Sequence, residues 1–413
     1  MIERVDIAIV GGGPVGLSLA LALRDAGLAV TVLEARPDVP VTDARAIVLS
    51  YGSRLILERL GVWAHLATTT APTPITQIHV SQRGRFGRSL LTATSASVPA
   101  LGYTVEYTAL HAALTTAAKA AGVSVRYDAP VTLAEPGRVV YRGDPIPLLT
   151  PPLKGEELGV MGADLASLPF KGRAGMGEVL TTELVVLAEG GRGLPQNDAS
   201  LKDYAQSAIV CEVESEQPHL GLAYERFTPE GPIALLPLGN RYALVWTTPA
   251  AQVAERLAWS DADFLAGLYA AFGERQGRFV AASARAAFPL RMALRGAGET
   301  AGVVRIGNAA QLLHPVAGQG FNLGLRDAWQ LAETILDTPT GGLDKADLLQ
   351  RYVRARGADV SAGARVTDLL VEVFSNDLPL IAQARGLALT ALDLFQPLKN
   401  GFARKMMHGA RTW

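Results

Sequence analysis

The sequence predicts an α/β fold in which a Rossmann-like domain is combined with a β-rich domain and a C-terminal helical region. Three observations predict it. A strand, a glycine loop, a helix and a second strand open the chain, short strands dominate the stretch after residue 201, and the last part of the chain is helical in pattern. The expected domain boundaries are residues 1–75, 101–200 and 290–340 for the discontinuous Rossmann-like domain, 76–100 and 201–289 for the β-rich domain, and 341–413 for the helical region.

The opening unit covers residues 5–34. Val5–Val10 is a short apolar strand, Leu17–Ala26 is a helix of small residues, and Ala29–Leu33 is a second strand. Ile7–Leu23 is uncharged, as in a signal peptide or a membrane span. However, acidic residues precede it and glycines interrupt it, so we expect no targeting segment and a cytoplasmic protein.

The loop after the first strand has glycines in the G-x-G-x-x-G frame, at Gly11, Gly13 and Gly16, with Pro14 inside it. In this frame the glycines permit a tight turn, close approach of a pyrophosphate and contact between helix and strand. Glu34 ends the second strand, 23 residues after Gly11, where a carboxylate can accept hydrogen bonds from a ribose. The unit therefore predicts a dinucleotide site.

Composition excludes several classes of function. The chain has 413 residues, enough for two or three domains, and its net charge of −1 gives no field that would attract nucleic acid. Cys211 is the single cysteine, so there is no disulfide framework and no cysteine-rich metal site. The six histidines have no metal-ligand spacing, and we expect no metal.

Further elements follow from periodicity and turn residues. Residues 136–177 are rich in proline and glycine and are predicted to be irregular. The predicted helices are 109–121, 260–272 (capped by Ser260) and most of 345–413; the predicted strands are 123–127, 184–188, 208–214, 221–227, 233–238, 241–247 and 303–307, with a two-residue turn at Gly239-Asn240.

A second glycine-rich loop, His314–Asp327, leads into a helix predicted over Asn322–Thr334. Its glycines bring bare backbone close to a neighbour, and the helix start offers free N–H groups and the positive end of the helix dipole. This environment favours a ligand that carries negative charge, such as a reduced flavin ring. Taken alone, the stretch is equally compatible with a glycine loop that binds no ligand.

Together these motifs resemble the group A FAD-dependent aromatic monooxygenases. The run from His314 is similar to the ubiquinone-biosynthesis hydroxylases, and His79–Gly84 and Tyr224–Pro232 are similar to the 2-polyprenyl-6-methoxyphenol hydroxylases among them. The resemblance rests on the first glycine frame, Ala44–Ile47, His79–Gly84, Tyr224–Pro232, Gly307–Ala310 and His314–Asp327.

The resemblance implies non-covalent FAD, with the glycine frame at the pyrophosphate, Glu34 at the ribose and Arg36 beside the adenosine. Arg45 would lie against the flavin or pyrophosphate, or else form a surface ion pair, and Asn308 would bind the ribityl chain. No catalytic residue is identified; the candidates are His314, Tyr224 and Tyr242, although packing beside Pro315 is the favoured role for His314. The residues expected along the flavin ring are Pro315, Gly318, Gln319, Gly320, Phe321 and Asn322.

One motif departs from the family. After the strand at 184–188 the family has Ala-Asp-Gly, which is associated with the use of NAD(P)H. This chain has Ala188, Glu189 and Gly190 instead, with a carboxylate one methylene longer. The departure concerns the reduction step and leaves the expected fold unchanged.

The implied reaction uses NADPH or NADH as a transient reductant, and O2 supplies a hydroxyl group to a polyprenylated phenol. Other ubiquinone-biosynthesis proteins are potential partners. Alternatives on the same scaffold are a prenyl reductase or a halogenase, although the Trp-x-Trp-x-Ile motif of halogenases is absent. A further alternative is a flavoprotein that binds a prenylated intermediate with little or no turnover.

Because such a phenol resides in a bilayer, the C-terminus is a candidate for peripheral attachment to the inner membrane. Residues 395–413 contain basic residues and no acid, and apolar residues recur there at helical spacing. The alternative is a terminal helix packed on its own domain or on a partner subunit. The predicted lipid-facing residues are Leu398, Phe402, Met406, Ala410 and Trp413, and the basic residues are Lys399, Arg404, Lys405 and Arg411.

Overall fold

The computed structural model describes residues 3–43, 45–141, 177–190, 201–298, 300–313, 318–338, 345–374 and 379–409. Its helices are α1 (Pro14–Ala22), α2 (Tyr51–Arg59), α3 (Val62–Thr69), α4 (Tyr107–Ala120), α5 (Val253–Ala258), α6 (Asp261–Phe272), α7 (Gln319–Leu336), α8 (Lys345–Phe374), α9 (Pro379–Leu394) and α10 (Gln396–His408). Within the described residues, no helix is both long enough and apolar enough to cross a membrane.

The strands form two large sheets and one small sheet. They are β1 (Glu3–Val10), β2 (Val30–Leu33), β3 (Ala46–Ser50), β4 (Thr73–Ile75), β5 (Gln77–Gln82), β6 (Arg88–Thr92), β7 (Gly102–Glu106), β8 (Ser124–Arg126), β9 (Val131–Glu135), β10 (Arg138–Tyr141), β11 (Glu178–Leu187), β12 (Leu201–Ser215), β13 (Leu222–Thr228), β14 (Gly231–Leu238), β15 (Arg241–Pro249), β16 (Phe279–Ala282), β17 (Ala286–Leu294), β18 (Val303–Arg305) and β19 (Gln311–Leu312).

The first sheet has the order β8-β2-β1-β11-β10-β9, and β18 pairs with β11. β1 is parallel to β2 and β11, so these three strands end at the same edge of the sheet. Their central residues are buried, as the continuous apolar runs predicted. Gly11, Glu34 and Glu189 come directly or almost directly after the strand ends, at the edge where parallel α/β sheets bind ligands.

The second sheet has the order β19-β17-β12-β15-β14-β13-β5-β6, and β16 pairs with β12. One face packs on α6 through Phe264, Leu268 and Phe272. The predicted turn at Gly239-Asn240 is confirmed between β14 and β15, and the Ser260 cap is confirmed by its Oγ, which accepts from the Asp263 backbone N. The other face of the sheet is turned towards the first domain.

The remaining elements connect these sheets. β3, β7 and β4 form a small antiparallel sheet, α9 packs on β6, and α10 packs on α2 and α9. Within the described residues the helical C-terminal region is confirmed. The domain boundaries given above stay a prediction.

Two predictions of element bounds differ from the structure. Helix α1 ends at Ala22, before the predicted Ala26, because the chain turns there and reaches a left-handed φ of +69° at Gly27. β10 lies inside the stretch predicted to be irregular, because Arg138–Tyr141 pairs with β11. The rest of that stretch, 142–176, lies outside the described residues.

The lipid-facing side predicted for the C-terminal helix is wrong. Helix α10 forms, but Phe402 packs against the cluster around Leu91 and Met407, and Met406 lines an internal cavity. Lys399 is buried and donates to Asp393 Oδ1 at 2.8 Å. Of the predicted lipid-facing residues that the structure describes, only Leu398 is strongly exposed. Ala410, Arg411 and Trp413 lie outside the described residues.

A buried charge network joins α7 to α8. Asp327 Oδ1 accepts from Arg356 Nε at 2.7 Å, and Asp327 Oδ2 accepts from the backbone N of Gly307 at 2.9 Å. Arg356 and Arg326 both also donate to Asp359. The network fixes the middle of α7 relative to the turn Gly307–Ala309 and to α8.

We expect Asp327→Ala to lower the free energy of unfolding by about 3–5 kcal/mol, because it leaves a buried arginine with one carboxylate fewer. Asp347→Ala is the control. It breaks the exposed pair with Arg351 and should cost no more than about 1 kcal/mol. Urea unfolding of both variants measures the difference, and equal small losses would show that the buried network is not stabilising.

Candidate active site

A cavity of about 1420 Å³ lies between the carboxyl edge of the first sheet and the inner face of the second. Its walls come from the loop after β1, the start of α7, the inner face of β13 to β15, and helices α9 and α10. This volume exceeds the range of about 300–1,000 Å³ that is usual for one small ligand. It can therefore hold a large cofactor together with a second molecule.

The first glycine loop opens into this cavity. A Cβ on Gly16 would lie 2.0 Å from the carbonyl oxygen of Gly11, so this glycine allows helix and loop to touch. Gly13 lines the cavity, and a Cβ added to it would have no heavy atom within 4 Å. Helix α1 begins at Pro14 with no side-chain cap, which leaves N–H groups free for an anion.

The second glycine loop opens into the same cavity. Helix α7 begins after Gly318, whose φ of +60° is left-handed, and it also has no side-chain cap. Gln319, Gly320 and Phe321 line the cavity. Two helix N-termini thus contribute positive potential to one space. His314 and Pro315 lie outside the described residues.

Asn322 has a structural role that its sequence position does not reveal. Its Oδ1 accepts from the backbone N of Ser50 at 2.8 Å and from Ser53 Oγ at 2.6 Å. Its Nδ2 donates to the carbonyl oxygens of Val48 and Gly318, both at 2.8 Å. The amide has no capacity left for a cofactor, so Asn322 positions the start of α7 against β3 and α2.

Glu34 and Arg36 both line the cavity and are paired with each other. The Glu34 carboxylate accepts from the backbone N of Gly12 at 2.7 Å and from three Arg36 nitrogens. Burial raises the pKa of Glu34, but the hydrogen bonds from Arg36 outweigh this and leave the pKa lowered. These four hydrogen bonds use about all the acceptor positions of a carboxylate. A ribose that binds to Glu34 would therefore have to displace the Arg36 side chain.

Arg45 and Asn308 also face the cavity. Arg45 pairs with Asp43 at 2.6 Å, and its guanidinium lies 5.3 Å from the Tyr107 ring centroid and 5.1 Å from that of Phe288. Arg45 therefore lines the cavity, as the resemblance implies, and also forms an ion pair, which was the alternative expectation. Asn308 is exposed to the cavity and forms no hydrogen bond with another described residue.

Glu189 and Gly190 line the cavity beside the first loop, where a Cβ on Gly11 would lie 2.7 Å from the Glu189 Cα. Burial raises the pKa of Glu189, and Arg295 partly offsets this. Glu189 therefore lies directly against the first glycine loop.

If Glu189 acts in reduction mainly through its charge, Glu189→Asp should keep NAD(P)H-dependent flavin reduction within a few-fold, and Glu189→Ala should slow it roughly tenfold or more. Stopped-flow absorbance at saturating FAD measures both rates. Equal, unimpaired rates in all three proteins would exclude a role in reduction.

The two tyrosine candidates have their rings in the cluster between the second sheet and α6, although Tyr224 is also among the residues that line the cavity. The Tyr224 hydroxyl accepts from Gln276 Nε2 at 2.6 Å, and its ring packs in the cluster with Phe272. Tyr242 is fully buried in that cluster, its hydroxyl donates to the carbonyl oxygen of Leu222, and burial raises its pKa. Both hydroxyls are thus already hydrogen-bonded within the second domain, and a catalytic role for either tyrosine stays a prediction.

Glu225 is the residue that sequence reasoning missed. Side chains alternate along β13, and Ala223, Glu225 and Phe227 line the cavity, whereas the Tyr224 ring packs against Phe272 of α6. Among the described residues Glu225 has no hydrogen-bond or ion-pair partner. Burial raises its pKa to about 7. A charged residue at an inward-facing strand position is the signal that could have identified it.

Cys211 also lines the cavity, and burial raises the pKa of its thiol to about 12. The protonated thiol is a poor nucleophile, which argues against a covalent tether from this residue. In the described part of the chain, no group of three or more His, Cys, Asp or Glu is arranged to hold a metal.

Comparisons with known proteins agree with this geometry. The sequence model of the FAD-binding domain family matches residues 4–139 and 167–366. The ubiquinone hydroxylase UbiL of Rhodospirillum rubrum is 33% identical over 97% of this chain and 89% of its own length. The 3-demethoxyubiquinol 3-hydroxylase of Escherichia coli is 33% identical over 96% of this chain and 97% of its own length.

Among solved structures, PqsL of Pseudomonas aeruginosa, described as a probable FAD-dependent monooxygenase, has a TM-score of 0.69. It is 19% identical, and the match covers 94% of this chain and 100% of that one, so it shows a shared fold. With two uncapped helix starts facing one large cavity, the chain belongs to the FAD-binding monooxygenase family and, within it, to the ubiquinone-biosynthesis hydroxylases.

Proposed function

We propose that this protein hydroxylates the ring of a polyprenylated phenol in ubiquinone biosynthesis, with FAD as cofactor and NADPH or NADH as reductant. The observation that supports this best is the continuity of the cavity. It runs from the two glycine loops to an apolar region beside Glu225, whose carboxyl group has no hydrogen-bond or ion-pair partner among the described residues.

The residues of the first domain fit FAD. Gly13 and the start of α1 would hold the pyrophosphate, Glu34 the adenosine ribose, and Asn308 the ribityl chain. The start of α7 would stabilise negative charge on the reduced ring. When bound, FAD accepts electrons from NAD(P)H and delivers one oxygen atom of O2 to the substrate.

The apolar end of the cavity fits a prenyl chain. Leu389 and Leu392 of α9 and Phe402 and Met406 of α10 line it, opposite Phe227 of β13. An apolar wall of this kind binds a hydrocarbon chain without hydrogen bonds and excludes water from the reacting ring.

Glu225 would serve as the proton acceptor. Its carboxylate takes the proton of the phenolic O–H, and the electron pair of that bond stays on the ring oxygen and enriches the ortho and para carbons. The ring carbon that gains the hydroxyl group then loses its hydrogen as a proton, which restores aromaticity. A carboxyl group whose pKa is about 7 is well matched to this exchange near neutral pH.

Because its substrate is lipid-soluble, the protein should work at a bilayer surface, as a peripheral protein in the cytoplasm at the inner membrane. Contact with other proteins of ubiquinone biosynthesis would help to deliver the substrate to this protein.

NAD(P)H oxidation by the purified holoprotein tests the proposal. We expect oxidation to accelerate roughly tenfold or more when a short-chain prenylated phenol is added, since binding of the phenol completes the site. A flavoprotein that only holds the intermediate would bind the phenol without this acceleration, and that result would refute the proposal.

A further inference from the structure

A second cavity, of about 630 Å³, lies outside the substrate cavity, at the hairpin that connects β5 and β6. Its lining includes Arg85 and Arg88 of the hairpin, Arg226 of β13 and Arg275 of the loop after α6. We call it the arginine cavity. Arg226 lies on the face of β13 opposite to Glu225, so the sheet separates this cavity from the substrate site.

Within the part of the chain that the structure describes, no ion pair neutralises the positive charge of the arginine cavity. None of these four arginines forms an ion pair with another described residue. Arg226 Nε is buried and has no hydrogen-bond partner among the described residues, and Arg226 Nη1 reaches only Ser81 Oγ, at 3.3 Å. Asp393 is the one carboxylate among the described residues of the lining, and its Oδ1 accepts from Lys399 Nζ and from the backbone N of Leu90.

The same positive charges lower the pKa values of two neighbouring groups, His79 and Arg226. Burial, followed by the charges of Arg275, Arg88 and Arg226, lowers the pKa of His79 to about 4. Burial, followed by the neighbouring arginines, lowers the pKa of Arg226. Converging guanidinium groups with free N–H donors match the geometry of a phosphate group.

The surroundings favour a phosphate that belongs to a lipid. Phe86 and Leu394 line the arginine cavity and are 54% and 73% exposed. Phe395 and Leu398, just beyond the end of α9, are 64% and 58% exposed. Cationic groups beside exposed large apolar side chains are the arrangement with which peripheral proteins bind an anionic bilayer.

We propose that the arginine cavity binds the phosphate of an anionic phospholipid, while Phe86, Leu394, Phe395 and Leu398 enter the interface. This inference rests on the proposed function, which requires a lipid-borne substrate. It also gives the substrate a path from the bilayer, because α9 and α10 expose Leu394 and Leu398 and also carry residues that line the substrate cavity.

Sedimentation of the holoprotein with vesicles tests the proposal. The vesicles are phosphatidylcholine, with or without phosphatidylglycerol. Wild type should bind the anionic vesicles, and each basic residue at such a surface is worth about fivefold in affinity, so Arg226→Gln with Arg275→Gln should bind about thirtyfold more weakly. Phe395→Ser with Leu398→Ser should also weaken binding. Arg241→Gln, an exposed arginine paired with Glu212 and Glu214, should not.

Equal vesicle binding by wild type and the double arginine variant would overturn the proposal. If that variant also has a raised KM for NADPH, the arginines serve the soluble nucleotide instead of a lipid. Turnover of a short-chain, water-soluble phenol separates the two proposals. It should be unchanged in the arginine variant, whereas its absence from a wild type that binds vesicles would refute only the proposed function.

Discussion

Gly13→Val is expected to give a protein without bound FAD. Gly13 has a φ of −72° and no neighbour near its Cβ position, so valine is compatible with the fold of the free protein. The added side chain would instead fill the space beside the start of α1 that the pyrophosphate requires. We expect the FAD retained after purification to fall below about a tenth of the wild-type amount.

The ratio of flavin absorbance to protein absorbance measures retention, and a thermal melt of the FAD-free proteins checks folding. Gly357→Val is the matched control, because Gly357 is exposed on α8 with equally open space around it. If Gly13→Val keeps FAD as tightly as the control does, the pyrophosphate does not lie at this loop.

Glu225→Gln is expected to slow hydroxylation by a factor of about 10² to 10⁴, the usual contribution of a general base. FAD binding and NAD(P)H oxidation should be much less affected, so less product should form per NAD(P)H consumed. Because the pKa of Glu225 is about 7, the wild-type hydroxylation rate should rise with pH through that value as the carboxylate forms. The glutamine variant should lack this rise.

The stability of the protein should depend on Glu225 in the opposite direction. Its pKa is raised above the unfolded value, so the folded state binds the extra proton and loses stability as pH rises towards 7.

Tyr242→Phe is the control for the activity test, because it removes a hydroxyl on the other face of the same sheet. A retained pH rise in Glu225→Gln, or an equal loss of rate in Tyr242→Phe, would contradict the assignment to Glu225.

Local patterns were sufficient to predict the elements that position the cofactor. The glycine frame, the apolar strand at 184–188 and the hairpin at Gly239-Asn240 depend on neighbours close in sequence, and the structure confirms them as elements. Periodicity also predicted α7 and the C-terminal helices, because their patterns extend over many turns.

The chemistry of single side chains was less predictable, because it depends on contacts distant in sequence. Asn322 follows a flavin-binding motif, but Ser50, Ser53 and Val48 use its amide. Tyr224 and Glu225 are adjacent, and only the packing of α6 on the sheet decides which of them faces the cavity. The face of α10 was misassigned for the same reason, since an apolar stripe fits a protein interior as well as a lipid surface.

Hydroxylation with O2 labelled with heavy oxygen tests the central claim most directly. The holoprotein, NAD(P)H and a prenylated phenol are incubated under labelled O2 in ordinary water, and the product is analysed by mass spectrometry. One labelled oxygen atom per molecule of product, dependent on FAD, is the result expected for a monooxygenase with the site described. Product whose new oxygen comes from water, or phenol recovered unchanged while NAD(P)H is consumed, would contradict it.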